Sequence, residues 1–364
     1  MSRTRAIQVS LMLAMLAAVF SVPVKGGEYQ WNLPKGFPRP YVPADNPMTT
    51  AKVELGRYLF YDTRMSVNGK SSCATCHKQE LAFTDGRATG LGATGEAHSR
   101  GAMSLVNVAY TGALAWSNPR LKSLEEQALV PMFGDHPVEL GLREGDGFLP
   151  MLRSDAKYRA LFAAAFPGDA DPFTLANATR AVACFERSIV SARSPYDRYH
   201  YNREDSAVSE SAKRGEILFF DQRIHCFRCH GGANFSDATV SEADADREIE
   251  FHNTGLYRSY AEPNVGIYEF TKNPADRGKF KTPTLRNIAV TAPYMHDGSI
   301  PDLQGVLDHY AAGGRGNGHD NPNKDPLIGG FTLSAQDRAD LVEFLKSLTD
   351  EAVLHDPRFT NPRQ

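Results

Sequence analysis

Two short runs of cysteine and histidine are the part of this sequence best suited to chemistry. Both follow the pattern Cys-x-x-Cys-His, and their members are Cys73, Cys76 and His77 in the first run and Cys226, Cys229 and His230 in the second. Two cysteines at this spacing can each form a thioether bond to one vinyl group of a haem, and the histidine that follows can bind the iron. The pattern therefore predicts two covalently attached c-type haems.

Zinc binding and thioredoxin-like redox chemistry are the alternative uses of a Cys-x-x-Cys pair. Neither use requires a histidine directly after the second cysteine. Neither explains why residues 56–64 and 215–223, which precede the two runs, share the pattern G-x-x-L-F-x-D-x-R. The haem interpretation is therefore favoured. The fifth cysteine, Cys184, lies in an apolar series at helical spacing and is expected to be a buried core thiol.

A duplicated haem unit needs helices before and after each motif to hold it. The 364 residues are enough for two domains. We predict a mainly α-helical fold of two tandem cytochrome c-like domains, each with one covalent haem. The N-terminal haem domain is assigned to residues 27–205, the C-terminal haem domain to residues 206–350 and a C-terminal tail to residues 351–364. Helices are expected over residues 52–61 and from residue 209 to 220, just before the motifs.

The second half of each domain is expected to contain a longer helix. The first covers residues 174–192, and the second begins at Ser334, where the sequence resembles a capping box. Residues 194–205 are predicted to form the linker between the domains. The glycine-rich run at residues 313–318 is predicted to be a mobile surface loop, since glycine holds no single backbone shape unaided.

The first 26 residues are typical of a secretory signal peptide. Arg3 and Arg5 precede an apolar stretch from Ile7 to Phe20, and small or helix-breaking residues follow. This stretch has too few apolar residues for a membrane span, and no later segment is apolar enough for one. Because bacteria attach haem to c-type cytochromes outside the cytoplasm, we expect a periplasmic protein. The net charge of -3 argues against a nucleic-acid partner.

Three further segments carry a family resemblance. They are residues 124–128 (LEEQA), residues 137–139 (PVE) and residues 282–298 (TPTLRNIAVTAPYMHDG). With the two haem motifs, they make the chain resemble the bacterial di-haem cytochrome c peroxidases and their relatives MauG and MbnH over almost all of its mature length. The resemblance implies a haem-dependent oxidoreductase that reacts with hydrogen peroxide.

In this family the N-terminal haem binds peroxide, and the resemblance places Gln127, Pro131 and Glu139 in its distal pocket. A carboxylate there can take a proton from the inner oxygen of the peroxide and return it to the outer oxygen as water leaves. Gln127 can orient the peroxide. Without the family, Glu139 would be interpreted as a solvated surface carboxylate.

Classical members block this haem in the oxidised state with a histidine from a short Gly-His-Gly loop. The corresponding stretch here, residues 91–96, contains no histidine, and His98 follows several residues too late. The resemblance therefore predicts a five-coordinate N-terminal haem that needs no prior reduction. His98, His136 and Met103 are the alternative sixth ligands.

The second haem differs from that of the classical peroxidases in its far-side ligand. Those enzymes supply a methionine, whereas the matching residue here is Tyr310, as in MauG. An apolar series at helical spacing from Leu303 puts Tyr310 on the inward face of its helix and turns His309 about a quarter-turn away. A tyrosinate favours ferric and higher oxidation states. The alternative is a core Tyr310 with Met295 as the ligand.

Two features are implied between the haems. Trp116 matches a tryptophan that lies between them in the family and can pass an electron or hole, although the same residue would also serve as a core aromatic. Thr291 and Pro293 match backbone carbonyl ligands of a calcium ion. The third protein ligand in the family is an asparagine, and Gly101 stands at that position here.

The resemblance implies a periplasmic oxidase of the MauG and MbnH type. Peroxide would oxidise the His77 haem, the Tyr310-ligated haem would share the second oxidising equivalent through Trp116, and this high-valent pair would oxidise an aromatic side chain, expected to be tryptophan, on a partner protein. Residues 251–257 and 308–315 look closest to MbnH, which suggests a small periplasmic copper-handling partner. One alternative is a peroxidase that takes electrons from a small cytochrome c or cupredoxin. The other is a non-enzymatic di-haem electron carrier.

Overall fold

Helices are the main regular elements of this chain, for which a computed structural model describes residues 27–143, 145 and 147–363. The predicted signal peptide lies outside the described residues. The α-helices are α1 (Thr50–Phe60), α2 (Cys73–Cys76), α3 (Leu124–Gln127), α4 (Leu129–Phe133), α5 (Phe148–Ser154), α6 (Ala156–Ala165), α7 (Leu175–Ser188), α8 (Pro195–Asn202), α9 (Glu210–Phe219), α10 (Cys226–Cys229), α11 (Tyr268–Thr271), α12 (Leu303–Ala311), α13 (Ala335–Ser347) and α14 (Glu351–His355).

The strands β1 (Phe251–His252) and β2 (Phe280–Lys281) pair antiparallel and form the only sheet within the described part of the chain. The prediction of a mainly helical protein is confirmed. None of the helices at the described positions is long and apolar enough to cross a membrane.

The two copies of the repeated segment form equivalent helices that pack in the same way. Helix α1 packs against α7, and α9 packs against α13. An added Cβ at Gly56 of α1 would lie only 1.9 Å from the carbonyl oxygen of Ala181, and one at Gly215 of α9 would lie 2.0 Å from that of Asp340. The glycine of the repeat is therefore required because each helix pair crosses too closely for a side chain.

The aspartate and arginine of the repeat close the turn that follows each helix. Asp62 accepts hydrogen bonds from the backbone N–H and the guanidinium of Arg64. Asp221 accepts the same bonds from Arg223. The repeated pattern is therefore a structural unit, which joins a packed helix to the one-turn helix that carries each Cys-x-x-Cys run.

The tail predicted at residues 351–364 packs against the N-terminal half through its described part. Val353, Leu354 and Phe359 are buried in one apolar cluster with Phe60, the last residue of α1. The chain therefore returns from the second haem unit to cover the helix of the first.

Two asparagines at equivalent places join the halves. Asn107 and Asn287 both adopt a left-handed backbone conformation, with φ of 58°. The side chain of Asn107 bonds both backbone groups of Ser191, and that of Asn287 bonds the backbone of Asp350. The Ser191 hydroxyl donates to Asn287 Oδ1 at 2.8 Å, and the Asp350 carboxylate accepts from the N–H of Arg193. These buried hydrogen bonds connect the two halves directly.

The segment predicted as the linker between the domains contains helix α8. Ser194 is its N-cap, since the side chain accepts the N–H of Asp197, and Pro195 occupies the first helical position, where its missing N–H costs nothing. Ser194, Pro195 and Asp197 form a capping pattern that is visible in the sequence, so this helix could have been predicted.

The prediction of a mobile loop at residues 313–318 was wrong. Residues 316–320 form a 3-10 helix, and Gly318 is buried. A Cβ at Gly318 would lie 2.0 Å from the carbonyl oxygen of Gly255. These glycines permit a close backbone contact with a distant segment, which glycine content alone does not reveal.

Candidate active site

Each Cys-x-x-Cys-His run is presented by one helical turn. The N–H of His77 donates to the carbonyl of Cys73 at 3.0 Å, and that of His230 donates to the carbonyl of Cys226 at 2.8 Å. None of the motif cysteines is in a disulfide bond. The turn therefore leaves both thiols of each run free, with the histidine immediately beyond them.

A backbone carbonyl fixes the tautomer of each motif histidine. His77 Nδ1 lies 2.8 Å from the Phe83 oxygen, and His230 Nδ1 lies 3.0 Å from the Phe235 oxygen. A carbonyl oxygen only accepts, so Nδ1 carries the proton and Nε2 keeps its lone pair. Burial also lowers the pKa of both histidines, which favours the neutral ring. A neutral imidazole with a free Nε2 is what haem iron requires, so both motifs fit c-type haem.

The predicted peroxide-site residues come together at the first motif. A cavity of about 60 Å³ adjoins it, and the lining includes Cys73, Cys76, His77, Gln127, Pro131 and Glu139. Helices α3 and α4 supply the glutamine and the proline, and the irregular chain after α4 supplies the glutamate. The carboxylate and amide therefore share one space with the histidine expected to hold iron.

A buried ion pair positions the helix that carries Gln127. Arg187 of α7 donates to both carboxylate oxygens of Glu125 in α3, at 2.7 and 2.8 Å. Burial alone would raise the pKa of Glu125, but the hydrogen bonds from Arg187 outweigh it and lower the pKa to about 2. Glu125 is therefore ionised at neutral pH, and this pair holds α3 against α7.

Glu139 is not the solvated carboxylate that its local sequence suggested. Its side chain is 35% exposed, and burial raises its pKa. The segment 91–97 lies directly on it: the N–H of Ala93 donates to the Glu139 carbonyl at 2.7 Å, and a Cβ at Gly92 would lie 1.8 Å from the Val138 oxygen. The stretch that corresponds to the blocking loop of classical peroxidases is therefore packed against the chain that carries Glu139.

His98 lies beside Glu139, a pairing that the sequence did not reveal. His98 Nε2 is 3.8 Å from Glu139 Oε1. Leu91 and Ala97 form an antiparallel bridge, so the chain turns back on itself. This turn brings His98, which follows Ala97, to the cavity. His136 and Met103, the other alternative ligands, line the wider space between the halves together with Glu139.

At the second motif, helix α12 places Tyr310 near the cysteines. Burial raises the pKa of Tyr310, and the thiols of Cys229 and Cys226 are the next contributors. His309 is 3% exposed, and its two ring nitrogens have no hydrogen-bond partner at the described positions. Burial and then Arg315 lower the pKa of His309 to about 4. His309 therefore lies deep in the protein as a neutral ring, while Tyr310 lies toward the motif.

Trp116 lies on the space between the two halves. It lines a cavity of about 430 Å³ that also reaches His77. Its indole N–H donates to the Gly101 carbonyl at 2.9 Å, and the Nζ of Lys281 lies 5.9 Å from the ring centroid. Burial lowers the pKa of Lys281 to about 8. The indole is thus held by a hydrogen bond next to a buried amine.

The residues expected to bind calcium line the same cavity. Thr291 and Pro293 are both on its wall, as is Gly101. The Gly101 carbonyl already accepts the Trp116 indole N–H, and glycine has no side-chain oxygen to replace that of asparagine. Thr291 and Pro293 therefore lie on one wall, as expected for calcium ligands. Gly101, at the third expected position, has no side-chain oxygen to offer.

Sequence reasoning also missed two buried groups near the motifs. Glu186 of α7 lines the first cavity, and burial raises its pKa to about 8. His252 lies 2.7 Å from Asp237 and 2.6 Å from Asp325. Burial alone would lower the pKa of His252, but these hydrogen bonds raise it to about 12. Cys229, Asp237 and His252 are close enough to hold a metal, yet an imidazolium that donates from both nitrogens has no lone pair for one.

Comparisons with known proteins agree with this site. The family model for di-haem cytochrome c peroxidase matches residues 50–206. Cytochrome-c peroxidase IdrP1 of Pseudomonas sp. (strain SCT) is 35% identical over 98% of this chain and 96% of its own. Methylamine utilization protein MauG of Methylophilus methylotrophus is 33% identical over 93% of this chain and 96% of its own. The crystal structure of a MauG-like protein associated with microbial copper homeostasis is 43% identical, with a TM-score of 0.89 over 92% of this chain and 100% of that one.

The fold, the motifs and these relatives define a class of protein. It is a haem-dependent oxidoreductase that acts on peroxide. Within that class, the chain belongs to the di-haem cytochrome c peroxidase and MauG family.

Loss of one pair of motif thiols should halve the covalent haem content. We expect the double variant Cys73→Ser, Cys76→Ser to lose the haem of the first motif, because serine forms no thioether to a vinyl group. The measurement is haem bound per protein after denaturation. Cys184→Ser is the matched control and should keep the full content, since that buried thiol belongs to neither motif. Unchanged haem in the double variant would contradict the assignment.

Proposed function

We propose that this protein is a periplasmic di-haem oxidase that reacts with hydrogen peroxide and then oxidises an aromatic side chain, most simply tryptophan, on a partner protein. The observation that supports the proposal is that burial raises the pKa of Tyr310 and that this residue of α12 lies close enough to Cys229 and Cys226 for both thiols to raise it further. Tyrosinate is a hard anionic donor that stabilises ferric and higher oxidation states. A haem with this ligand is suited to store an oxidising equivalent. A haem that accepts electrons from a redox partner and passes them to the peroxide-binding haem is better served by a methionine ligand.

Residues of the first cavity perform the proton chemistry in this proposal. His77 and His230 would hold the iron of two c-type haems, and these haems would supply the electrons for peroxide reduction. Glu139 takes a proton from peroxide and returns it to the oxygen that leaves as water. Gln127 orients the peroxide, and Pro131 fills the wall beside it. Residues 27–205 and 206–350 would each form one haem domain.

Direct access for peroxide is the second element of the proposal. Residues 91–96 offer no histidine to block the iron, and contacts at Gly92 and Ala93 hold this stretch against residues 138 and 139. The first haem would therefore be five-coordinate in the oxidised protein. Trp116, held by its indole hydrogen bond, would pass the oxidising equivalent between the haems.

The partner is proposed from the solved relative. Its description associates that MauG-like protein with microbial copper homeostasis. We therefore propose a small periplasmic copper-handling protein as the substrate. The second candidate function is reduction of peroxide to water with electrons from a small cytochrome c or cupredoxin, which the name of the 35% identical relative IdrP1 favours.

Calcium stays a prediction for the space that Thr291 and Pro293 line. Two backbone carbonyls are a weak set of ligands for an ion that takes six to eight oxygens. Metal analysis of the purified holoprotein, before and after chelator treatment, would decide whether water and further carbonyls complete the site.

Peroxide added to the ferric protein separates the candidate functions. A long-lived oxidised state with slow turnover of reduced cytochrome c would support the protein oxidase. Rapid oxidation of the added cytochrome c would establish the peroxidase instead. An unchanged absorption spectrum on addition of peroxide would contradict both and leave the electron carrier.

Replacement of Tyr310 by Phe should raise the midpoint potential of the second haem. The expected shift is on the order of 0.1 V, a part of the ~0.8 V range that axial ligands control, because the variant loses an anionic donor that favours ferric iron. Spectroelectrochemical titration measures it. Tyr268→Phe, in the same half at the start of α11, is the control and should leave the potential unchanged. Equal potentials in the two variants would rule out Tyr310 as the ligand.

A further inference from the structure

His98 and Glu139 lie together where the first cavity meets the space between the halves. Their nearest side-chain atoms, His98 Nε2 and Glu139 Oε1, are 3.8 Å apart, and the two side chains are 33% and 35% exposed. The distance is longer than a direct hydrogen bond and within the range of an ion pair. A small rotation of either side chain would close it, as catalytic hydrogen bonds often tighten only when substrate binds.

The backbone sets which nitrogen of His98 carries the proton. His98 Nδ1 accepts the N–H of Arg100 at 3.1 Å. An accepting nitrogen holds no proton, so the hydrogen of the neutral ring is on Nε2. That is the nitrogen nearest Glu139. His98 is therefore arranged as a hydrogen-bond donor toward the carboxylate.

The charges around this pair favour a neutral His98. Burial, and then Arg100, lower the pKa of His98, while burial raises the pKa of Glu139. The other charged or titratable groups on the walls of the two cavities are Asp62, Cys73, Cys76, His77, Asp85, Arg87, Arg100, His136, Glu186, Glu269, Lys281 and Tyr294. The guanidinium of Arg100 donates to Ser117 and Asn264, away from the carboxylate.

We propose that His98 is a positioning residue for Glu139: its Nε2–H donates toward Oε1, which keeps the carboxyl group ionised near neutral pH and oriented to take the proton of peroxide. This inference rests on the proposed acid-base role of Glu139. A donor to a carboxylate stabilises its ionised form and so lowers its pKa. Loss of the donor should therefore raise the pKa of Glu139 and move the pH dependence of the peroxide reaction upward.

Two substitutions separate the donor from the rest of the side chain. In His98→Asn, the amide oxygen can still accept the Arg100 N–H, but no group reaches Glu139. In His98→Gln, the amide nitrogen takes the place of Nε2 and keeps a donor. Both variants are made in the holoprotein. The rate of the first step with peroxide is measured by stopped flow against pH, and infrared difference spectra follow protonation of the Glu139 carboxyl.

The Asn variant should shift both the rate profile and the infrared titration upward by roughly one pH unit, which is about a tenfold slower reaction on the acid side. The Gln variant should stay close to the wild type. An unshifted Asn variant, or equal shifts in both variants, would overturn the proposal. So would a change from low-spin to high-spin ferric iron in the Asn variant, because His98 would then be an iron ligand. If Glu139→Gln itself reacts normally, the acid-base role of Glu139 fails instead.

Discussion

Replacing Glu139 by Gln is expected to slow the reaction of the ferric protein with hydrogen peroxide by about 100- to 10,000-fold, the usual contribution of general acid-base catalysis. Glutamine has nearly the shape of glutamate and cannot take a proton. The cavity, and the side chains that line it with Glu139, would remain. Stopped-flow absorption of the haems after mixing with peroxide measures the rate.

The pH dependence of this rate follows from the environment of the carboxyl group. Burial raises the pKa of Glu139 above the ordinary range of glutamate. A base must be ionised, so the rate should rise with pH through this raised pKa and fall on the acid side. The Gln variant should lack this rise.

An exposed glutamate nearby provides the control. Glu126 lies in α3, next to Gln127 but outside the first cavity. Glu126→Gln should leave both the rate and its pH profile unchanged. A Glu139 variant that reacts as fast as this control would exclude Glu139 as the acid-base group.

Substitution of either repeat glycine by alanine should destabilise the protein by about 3 kcal/mol or more, the upper part of the range for overpacked cores. Gly→Ala inside a helix normally stabilises it by roughly 1 kcal/mol, so a fall in the free energy of unfolding here would identify a steric clash. At Gly56 and Gly215 the new Cβ would lie 1.9 and 2.0 Å from a backbone oxygen of the facing helix. Neither backbone can move without separating the helix pair.

Denaturant unfolding of the holoprotein measures this effect. Gly168→Ala is the matched control, since a Cβ at Gly168 meets nothing within 4 Å. The control should change the free energy of unfolding by less than about 1 kcal/mol. A stabilised Gly56→Ala variant would show that α1 and α7 do not cross as closely as described.

Residues close in sequence determined much of this protein without any structure. The spacing within each Cys-x-x-Cys-His run predicts haem attachment because one helical turn sets where both thiols point. The repeated G-x-x-L-F-x-D-x-R pattern specifies a helix and the turn after it, as the matching bonds of Asp62 and Asp221 illustrate. Helical periodicity predicted that Tyr310 faces inward, but it did not predict that the neighbouring His309 is buried.

Contacts between distant segments decided the rest. His98 meets Glu139 because a hairpin packs onto a chain about forty residues later. The pKa of His252 is raised because Asp237 and Asp325 converge on its ring. Gly318 was predicted to lie in a mobile loop, but its backbone packs against that of Gly255. Burial and partner charge set the pKa of each of these groups, and both depend on which remote residues the fold brings near. The sequence by itself therefore indicated the class of cofactor, because the motif is local, whereas only the tertiary structure decided the environment in which the acid-base groups lie.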